Sequence, residues 1–264
     1  MQIHKGKKRG IPTTQIYWPE NPEILREHSR TTPLTIVMYA EECILEAFAD
    51  IKPYNKELYT SIIPLDQSEE ELLSRMDAKS CRYELRKSEK LGYSHATNQF
   101  IDEAFTLFQD FFESNGYRDP LTSEEWNGYL KIADIHTIRH GTTMIAAHVI
   151  LRDAPHRVRL LLSATANRNT AEIRNVIGSL NRRLHWCEIL FYKKQGYREY
   201  DFGGILVDTK DPMFSITQFK NSFGGTTRKE YKLFIIPNPF LRWVVNSLGF
   251  IKSRAPSLLK MMKF

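Results

Sequence analysis

Two hydrophobic periods run along the chain, and between them they predict most of its elements. LTIVMY (34–39) is a β-branched run and predicts a strand, and YTSIIPL (59–65) predicts a second, closed by Pro64. Asp66 and Ser68 then stand before Glu69, Glu70 and Glu71, the acidic first turn of a helix. That helix continues, whole or broken, through CRYELRKSEKLG (81–92), and the alternation of YSHATN (93–98) predicts a short strand. In FIDEAFTLFQDFFESNG (100–116), Phe100, Ala104, Phe108 and Phe111 recur at helical spacing and read as a core stripe that Gly116 ends. SEEWNGYLKIA (123–133) predicts another helix, capped by Ser123.

Strands follow at 135–141, 142–153 and 156–166, the last two as an antiparallel hairpin turned at Asp153–Ala154–Pro155. The run LLL in the second hairpin strand is continuous enough to lie buried on both faces. A polar loop, 167–175, leads to a long helix from about Val176 to Gly196. REYDFGG (198–204) predicts a strand, ITQFKNSF (216–223) a short helix, and KEYKLFIIP (229–237) a final strand. Residues 1–33 carry no such periodicity and are expected to be an irregular lead-in.

Composition narrows the class without naming a chemistry. The 264 residues are 42% hydrophobic and 26% charged, ordinary globular proportions that argue against disorder or a coiled coil. The three cysteines are far apart and form no CxxC pair, so neither a disulfide framework nor a cysteine-held zinc is expected, which suits a reducing cytoplasm. No apolar run reaches signal-peptide or membrane-spanning length. The net charge of +6 sits at the ends: residues 1–10 carry +4 and residues 237–264 carry +5, leaving −3 for residues 11–236. An acidic body is not the surface of a protein that tracks DNA. HExxH, GxSxG and Walker A patterns are absent, so no metal site, serine hydrolase or nucleotide triphosphatase is expected.

The order of elements from 93 to 237 resembles that of the GNAT acyltransferase fold. IGSLNRRLHWCEILFYKKQGYREYDFGGI (177–205), followed by FKNSFGG (219–225) and a strand holding Tyr231, further resembles Fem-like proteins. LDQSEEELL…CRYELRKSEKLGY (65–93) resembles the helix that opens such domains. The resemblance implies an α/β (α+β) fold: a mixed, mostly antiparallel sheet flanked by helices over 65–237. An N-terminal extension with strands (1–64) precedes it, and a basic, apolar helical tail (238–264) follows. It also implies that LLLSATA and YDFGG splay apart around an acyl donor, acyl-coenzyme A and foremost acetyl-coenzyme A.

Several residues then become candidates, each with a plainer reading beside it. In YDFGG, Gly203 and Gly204 end a strand where missing side chains let a ligand approach the backbone, with Tyr200 and Asp201 beside them. The plainer reading is a bulge, with Asp201 capping the next turn. The usual diphosphate loop, Q/R-x-x-G-x-G/A, has its nearest counterpart at Asn175-x-x-Gly178-x-Leu180, which keeps one glycine. Arg168 and Arg174 would supply cationic grip, unless both simply face solvent. Asn181 and His185 share one helix face, and His185 or Asp201 is the expected proton acceptor; a lone histidine on an apolar helix is otherwise a core residue. Backbone N–H groups near Ser163 and Ala164 would hold a developing oxyanion. The resemblance implies a donor- or substrate-holding role for Lys220, with Phe219 offering an aromatic face.

The expected reaction is acyl transfer from acyl-CoA to an amine on a sugar or lipid-linked envelope precursor. An aminoacyl-tRNA-dependent transfer, as in Fem enzymes, is the alternative, and a noncatalytic membrane-surface scaffold is a third reading. Residues 239–251 are apolar with interspersed cations, and either pack back on the domain or dock on an anionic membrane at the cytoplasmic face.

Overall fold

The computed structural model describes residues 1–8, 11–48, 54–116, 121–167, 171–240 and 242. Two compact units emerge: Met1–Leu58 with Glu230–Phe264, and Tyr59–Lys229. The apolar C-terminal segment lies outside the described residues beyond Phe240, apart from Arg242.

Among the described residues, most of 1–33 form regular elements where an irregular lead-in was expected. Strands β1 (Gln2–Lys8) and β2 (Ile11–Tyr17) pair antiparallel from Gln2↔Tyr17 to Lys8↔Ile11. Helix α1 (Pro22–Thr31) starts on Asn21, whose side chain accepts from the Glu23 amide at 2.7 Å, with Pro22 in the first turn. Strand β3 (Leu34–Ala40) runs parallel to β2 over five pairs, and a short α2 (Glu42–Ala47) follows. β1 escaped the hydrophobic pattern because it is polar and lysine-rich, a composition that suits a sheet edge. Ile16, Leu25, Val37, Ile44 and Phe48 form the core of this unit with Leu233 and Ile235.

Strand β4 (Tyr54–Pro64) leads into the second unit. There α3 (Glu69–Arg75) opens with the expected capping box, Ser68 and Glu71 bonding reciprocally. The break before α4 (Cys81–Glu89) makes two helices of the predicted one. Next come β5 (Ser94–Thr97), α5 (Ile101–Ser114) and α6 (Ser123–Ile132), whose cap is Thr122 and not Ser123. Strands β6 (Ala133–His140), β7 (Thr143–Asp153) and β8 (Arg157–Thr165) form an antiparallel meander. The long α7 (Ala171–Lys194) then crosses to β9 (Glu199–Ile205), and α8 (Phe214–Asn221) precedes β10 (Thr226–Ile235). The second unit's sheet has the order β4-β9-β8-β7-β6-β5, antiparallel throughout except for β8–β9. β10 pairs with β3 from Tyr231↔Ala40 to Ile235↔Thr35.

Helix α7 is the spine. Ile177, Leu180 and Leu184 pack on Ile138, Ile145 and Ala146 of β6 and β7. Trp186, Ile189 and Tyr192 face a larger cluster with Leu85, Tyr200 and Phe202, each such burial contributing roughly 1.5–3 kcal/mol. The aromatic stripe of α5 divides. Ala104 and Phe108 are fully buried, whereas Phe100 precedes the helix at φ 56° with its ring under Arg139. Within the LLL run of β8 only Leu160 is buried; Leu161 and Leu162 are half-buried because β8 borders an opening.

Candidate active site

The parallel ladder between β8 and β9 is short. It comprises Arg157↔Glu199, Val158↔Tyr200 and Arg159↔Asp201, although β8 continues to Thr165 and β9 to Ile205. On its other edge β8 stays paired with β7, with an extra residue, Leu161, between Leu160↔Ile150 and Leu162↔Val149. Such a bulge bends a strand, and here it falls where the two strands part. Gly203, at φ +73°, passes so close to Leu160 that a Cβ would stand 2.7 Å from its carbonyl oxygen. Beyond this pinch the strands diverge around a cleft of about 560 Å³.

Of the residues singled out from the sequence, Ser163, Arg174, Gly178, Asn181, His185, Gly204, Phe219 and Lys220 line that cleft. Thr165, of the LLLSATA run, lines it too, and so do Arg182, Phe111 and Ile216, which were not anticipated. Phe111 was hidden by its helical spacing, which marks a buried face but not what that face meets. No carboxylate is among the lining residues, and the three cations Arg174, Arg182 and Lys220 give the walls a positive field. The Arg182 guanidinium lies 4.7 Å from the centre of the Phe219 ring, so one aromatic face expected to be open to a ligand carries a cation instead. Arg182 also donates to the Gly178 carbonyl at 3.1 Å. Leu180 is wholly buried in the core, so the diphosphate-loop pattern goes no further than Gly178. Arg168 lies outside the described residues.

Lys220 donates to the Gly204 carbonyl at 2.7 Å. Burial pulls its pKa down to about 8, with Asp201 opposing and Arg159 adding to the shift. It thus remains mostly a cation at neutral pH while lying close to its titration range.

Asp201 and Tyr200 sit behind the cleft rather than in it. The Asp201 carboxylate is fully buried; Arg159 donates to it at 2.5 Å, the Gly203 amide at 2.7 Å, and the Thr60 hydroxyl also donates. The carboxylate is fully buried, is not among the residues lining the cleft and has both oxygens bonded to the protein, so an acceptor amine in the cleft does not reach it, which corrects the expectation of Asp201 as base. It instead fixes the Gly203 turn and balances the buried Arg159. Ala164 is likewise fully buried and contributes backbone alone.

His185 is 1% exposed where it borders the cleft, and burial, with the field of His148, lowers its pKa to about 4. Its Nδ1 is 2.9 Å from the Tyr200 hydroxyl. Behind it Glu188, three residues on in α7, is fully buried. Burial alone would raise the Glu188 carboxyl, but the field and hydrogen bond of His148 outweigh that and hold it well below the usual carboxylate range. His148, His185 and Glu188 bring one ligand atom each within 4.8 Å of one another, a spacing that could reach a metal ion. In this structure the same atoms bond to each other and to Tyr200. Sequence reasoning missed Glu188 and Arg159, although a charged residue inside an apolar strand or helix is itself a sign of a buried partner.

No family model matches the sequence, and no curated protein does. Solved structures do. FemX is 13% identical with a TM-score of 0.62, the match covering 92% of this chain and 86% of that one. L-PGS from Bacillus licheniformis is 14% identical with a TM-score of 0.59, over 92% and 83%. The C-terminal DUF2156 domain of a proposed lysylphosphatidylglycerol synthetase from Agrobacterium fabrum is 10% identical with a TM-score of 0.60, over 95% and 89%. The chain has a GNAT-type, Fem-like fold. At such identities the likeness is one of architecture, and a shared architecture does not by itself assign a chemistry. No helix among the described residues is long and apolar enough to cross a membrane.

Proposed function

We propose that the protein is an N-acyltransferase whose cleft takes an activated acyl group on an anionic carrier, acyl-coenzyme A, and passes it to an amine of a sugar or lipid-linked envelope precursor. The observation that carries this reading is the end of the β8–β9 ladder at Arg159↔Asp201. It opens a cation-lined cleft with a neutral histidine at its wall. Arg174, Arg182 and Lys220 suit the phosphates of the donor, and the bare Gly178 permits close approach. The thioester supplies an acyl carbon open to attack.

His185 accepts the proton of the acceptor amine, whose nitrogen forms the new C–N bond as the C–S bond breaks; the proton finishes on the departing thiolate. On the side facing β9, the backbone at Ser163 has no ladder partner in the described residues, and its N–H suits the developing oxyanion, whereas the next N–H, of Ala164, turns to β7. Asp201 holds Arg159 and the Gly203 turn and so keeps Lys220 and Gly204 in register. No covalent enzyme intermediate is needed, because holding donor and amine together supplies much of the rate.

A second reading, aminoacyl-tRNA as donor, draws on α4. This helix packs on α7 and carries Arg86, Lys87 and Lys90 beside Tyr83 along a surface groove of about 340 Å³. Thermal unfolding with acetyl-coenzyme A, coenzyme A and uncharged tRNA separates the two. A ligand at a hundredfold its Kd adds about 2.7 kcal/mol, worth several degrees here. A rise with coenzyme A species supports the first reading, a rise with tRNA alone supports the second, and no rise with either overturns both.

A further inference from the structure

The buried side chains behind His185 have a fixed hydrogen-bond direction, and it reaches the cleft. Glu188 accepts on both oxygens: Oε1 is 2.6 Å from His148 Nδ1, and the Tyr200 hydroxyl lies 2.5 Å from Oε2. An ionised carboxylate only accepts, so the single phenolic proton of Tyr200 points at Glu188. The phenol oxygen is then left with lone pairs alone, and the neighbour at 2.9 Å, His185 Nδ1, must donate to it. His185 therefore carries its proton on Nδ1. Its Nε2 keeps a free lone pair, makes no hydrogen bond among the described residues, and belongs to a ring that borders the cleft. All four groups are at most 1% exposed, so water does not scramble this order.

We propose that Glu188 and Tyr200 are positioning residues that lock His185 as the Nδ1–H tautomer, presenting Nε2 to the amine of the acceptor. The proposal rests on the reading of His185 as base and adds how that base is held. When Nε2 takes the amine proton, the imidazole becomes a cation. The electron pair left on nitrogen forms the C–N bond, and the imidazolium later returns its proton to the departing thiolate. Neither Tyr200 nor Glu188 changes protonation; the carboxylate, with Oε2 3.3 Å from His185 Nδ1 and bonded to it also through the phenol, offsets the transient charge. His148, bonded to Glu188 Oε1 and 3.0 Å from Asn181 Oδ1, keeps the carboxylate turned toward Tyr200 and ties the network to a second cleft residue.

The tautomer can be read without any substrate. In the full chain labelled with 15N-histidine, two-bond proton–nitrogen correlations at pH 7 should show His185 protonated on Nδ1 and bare on Nε2. Glu188→Gln should erase that bias, and Tyr200→Phe should weaken it, since Glu188 Oε2 also lies 3.3 Å from His185 Nδ1. If either variant does not fold, the wild-type spectrum alone decides. An Nε2–H or doubly protonated His185 in the wild type overturns the proposal. So does the unchanged Nδ1–H pattern in a folded Glu188→Gln protein. One equivalent of zinc should leave the spectrum as it was; loss of the His148 and His185 signals together would make the cluster a metal site and also overturn it. The thermal shift with coenzyme A is independent: a correct tautomer without donor binding removes the transferase reading and leaves the lock, and the reverse outcome does the opposite.

Discussion

Replacing Asp201 by Asn keeps the shape of the side chain and an oxygen for the Gly203 amide and Thr60 hydroxyl, but removes the charge opposite Arg159. Both partners of this ion pair are buried, Arg159 at 2% and Asp201 at 0% exposure. Stranding one member of such a pair costs about 3–5 kcal/mol, because the remaining buried charge loses the opposite charge that offset its desolvation. At roughly 2–4 °C per kcal/mol for a chain of this size, Tm should fall by about 6–20 °C. Urea unfolding followed by fluorescence would give the same loss as a lower midpoint with an unchanged slope. Adding Arg159→Met should recover at least about 2 kcal/mol, since the buried cation is then removed together with the carboxylate that faced it. An Asp201→Asn protein that melts within 2 °C of the parent, as a rough limit of detection, would refute the structural role. If that protein also lost acyl transfer, the carboxylate would belong to the chemistry after all.

Stability should also depend on pH through His136 and His185, each lowered by burial from 6.5 to about 4. Both stay neutral in the fold while the unfolded chain takes up protons below pH 6.5. Stability is therefore full above that pH and falls between 6.5 and 4, by up to about 3 kcal/mol per histidine. A melting temperature flat from pH 7.5 to 4.5 would contradict this. Gly224→Ala would set a Cβ 2.6 Å from the Arg75 carbonyl oxygen at φ +80°, and should cost more than about 2 kcal/mol in urea unfolding. Lys220→Ala should abolish the thermal shift produced by coenzyme A while moving the unliganded Tm by less than about 3 °C, since it removes one hydrogen bond to Gly204. An undiminished shift would take Lys220 out of the donor site.

What the sequence determined by itself is local. The caps and acidic first turn of α3, the stop at Gly116, the β7–β8 hairpin and the order of elements from 59 to 235 follow from contacts within a few residues. Such contacts leave their trace as period and spacing. The YDFGG and FKNSFGG elements each set residues on the cleft, Gly204 from the first and Phe219 and Lys220 from the second. The tertiary structure decided every partner at long range. Asp201 meets Arg159 across 42 positions and Thr60 across 141, and these distant donors turned an expected base into a buried counter-ion. His148 meets Glu188 across 40 positions, which makes a network of residues that looked like ordinary core. Hydrophobic spacing says that a side chain is covered but not by what. Thus Phe111 borders the cleft while Phe108, three residues earlier, is core, and the polar edge strand β1 escapes the pattern altogether. A charge in an apolar stretch announces that a partner exists; only the folding of the sheet brings that partner within bonding distance, and the distance fixes whether the group holds the fold or acts on a ligand.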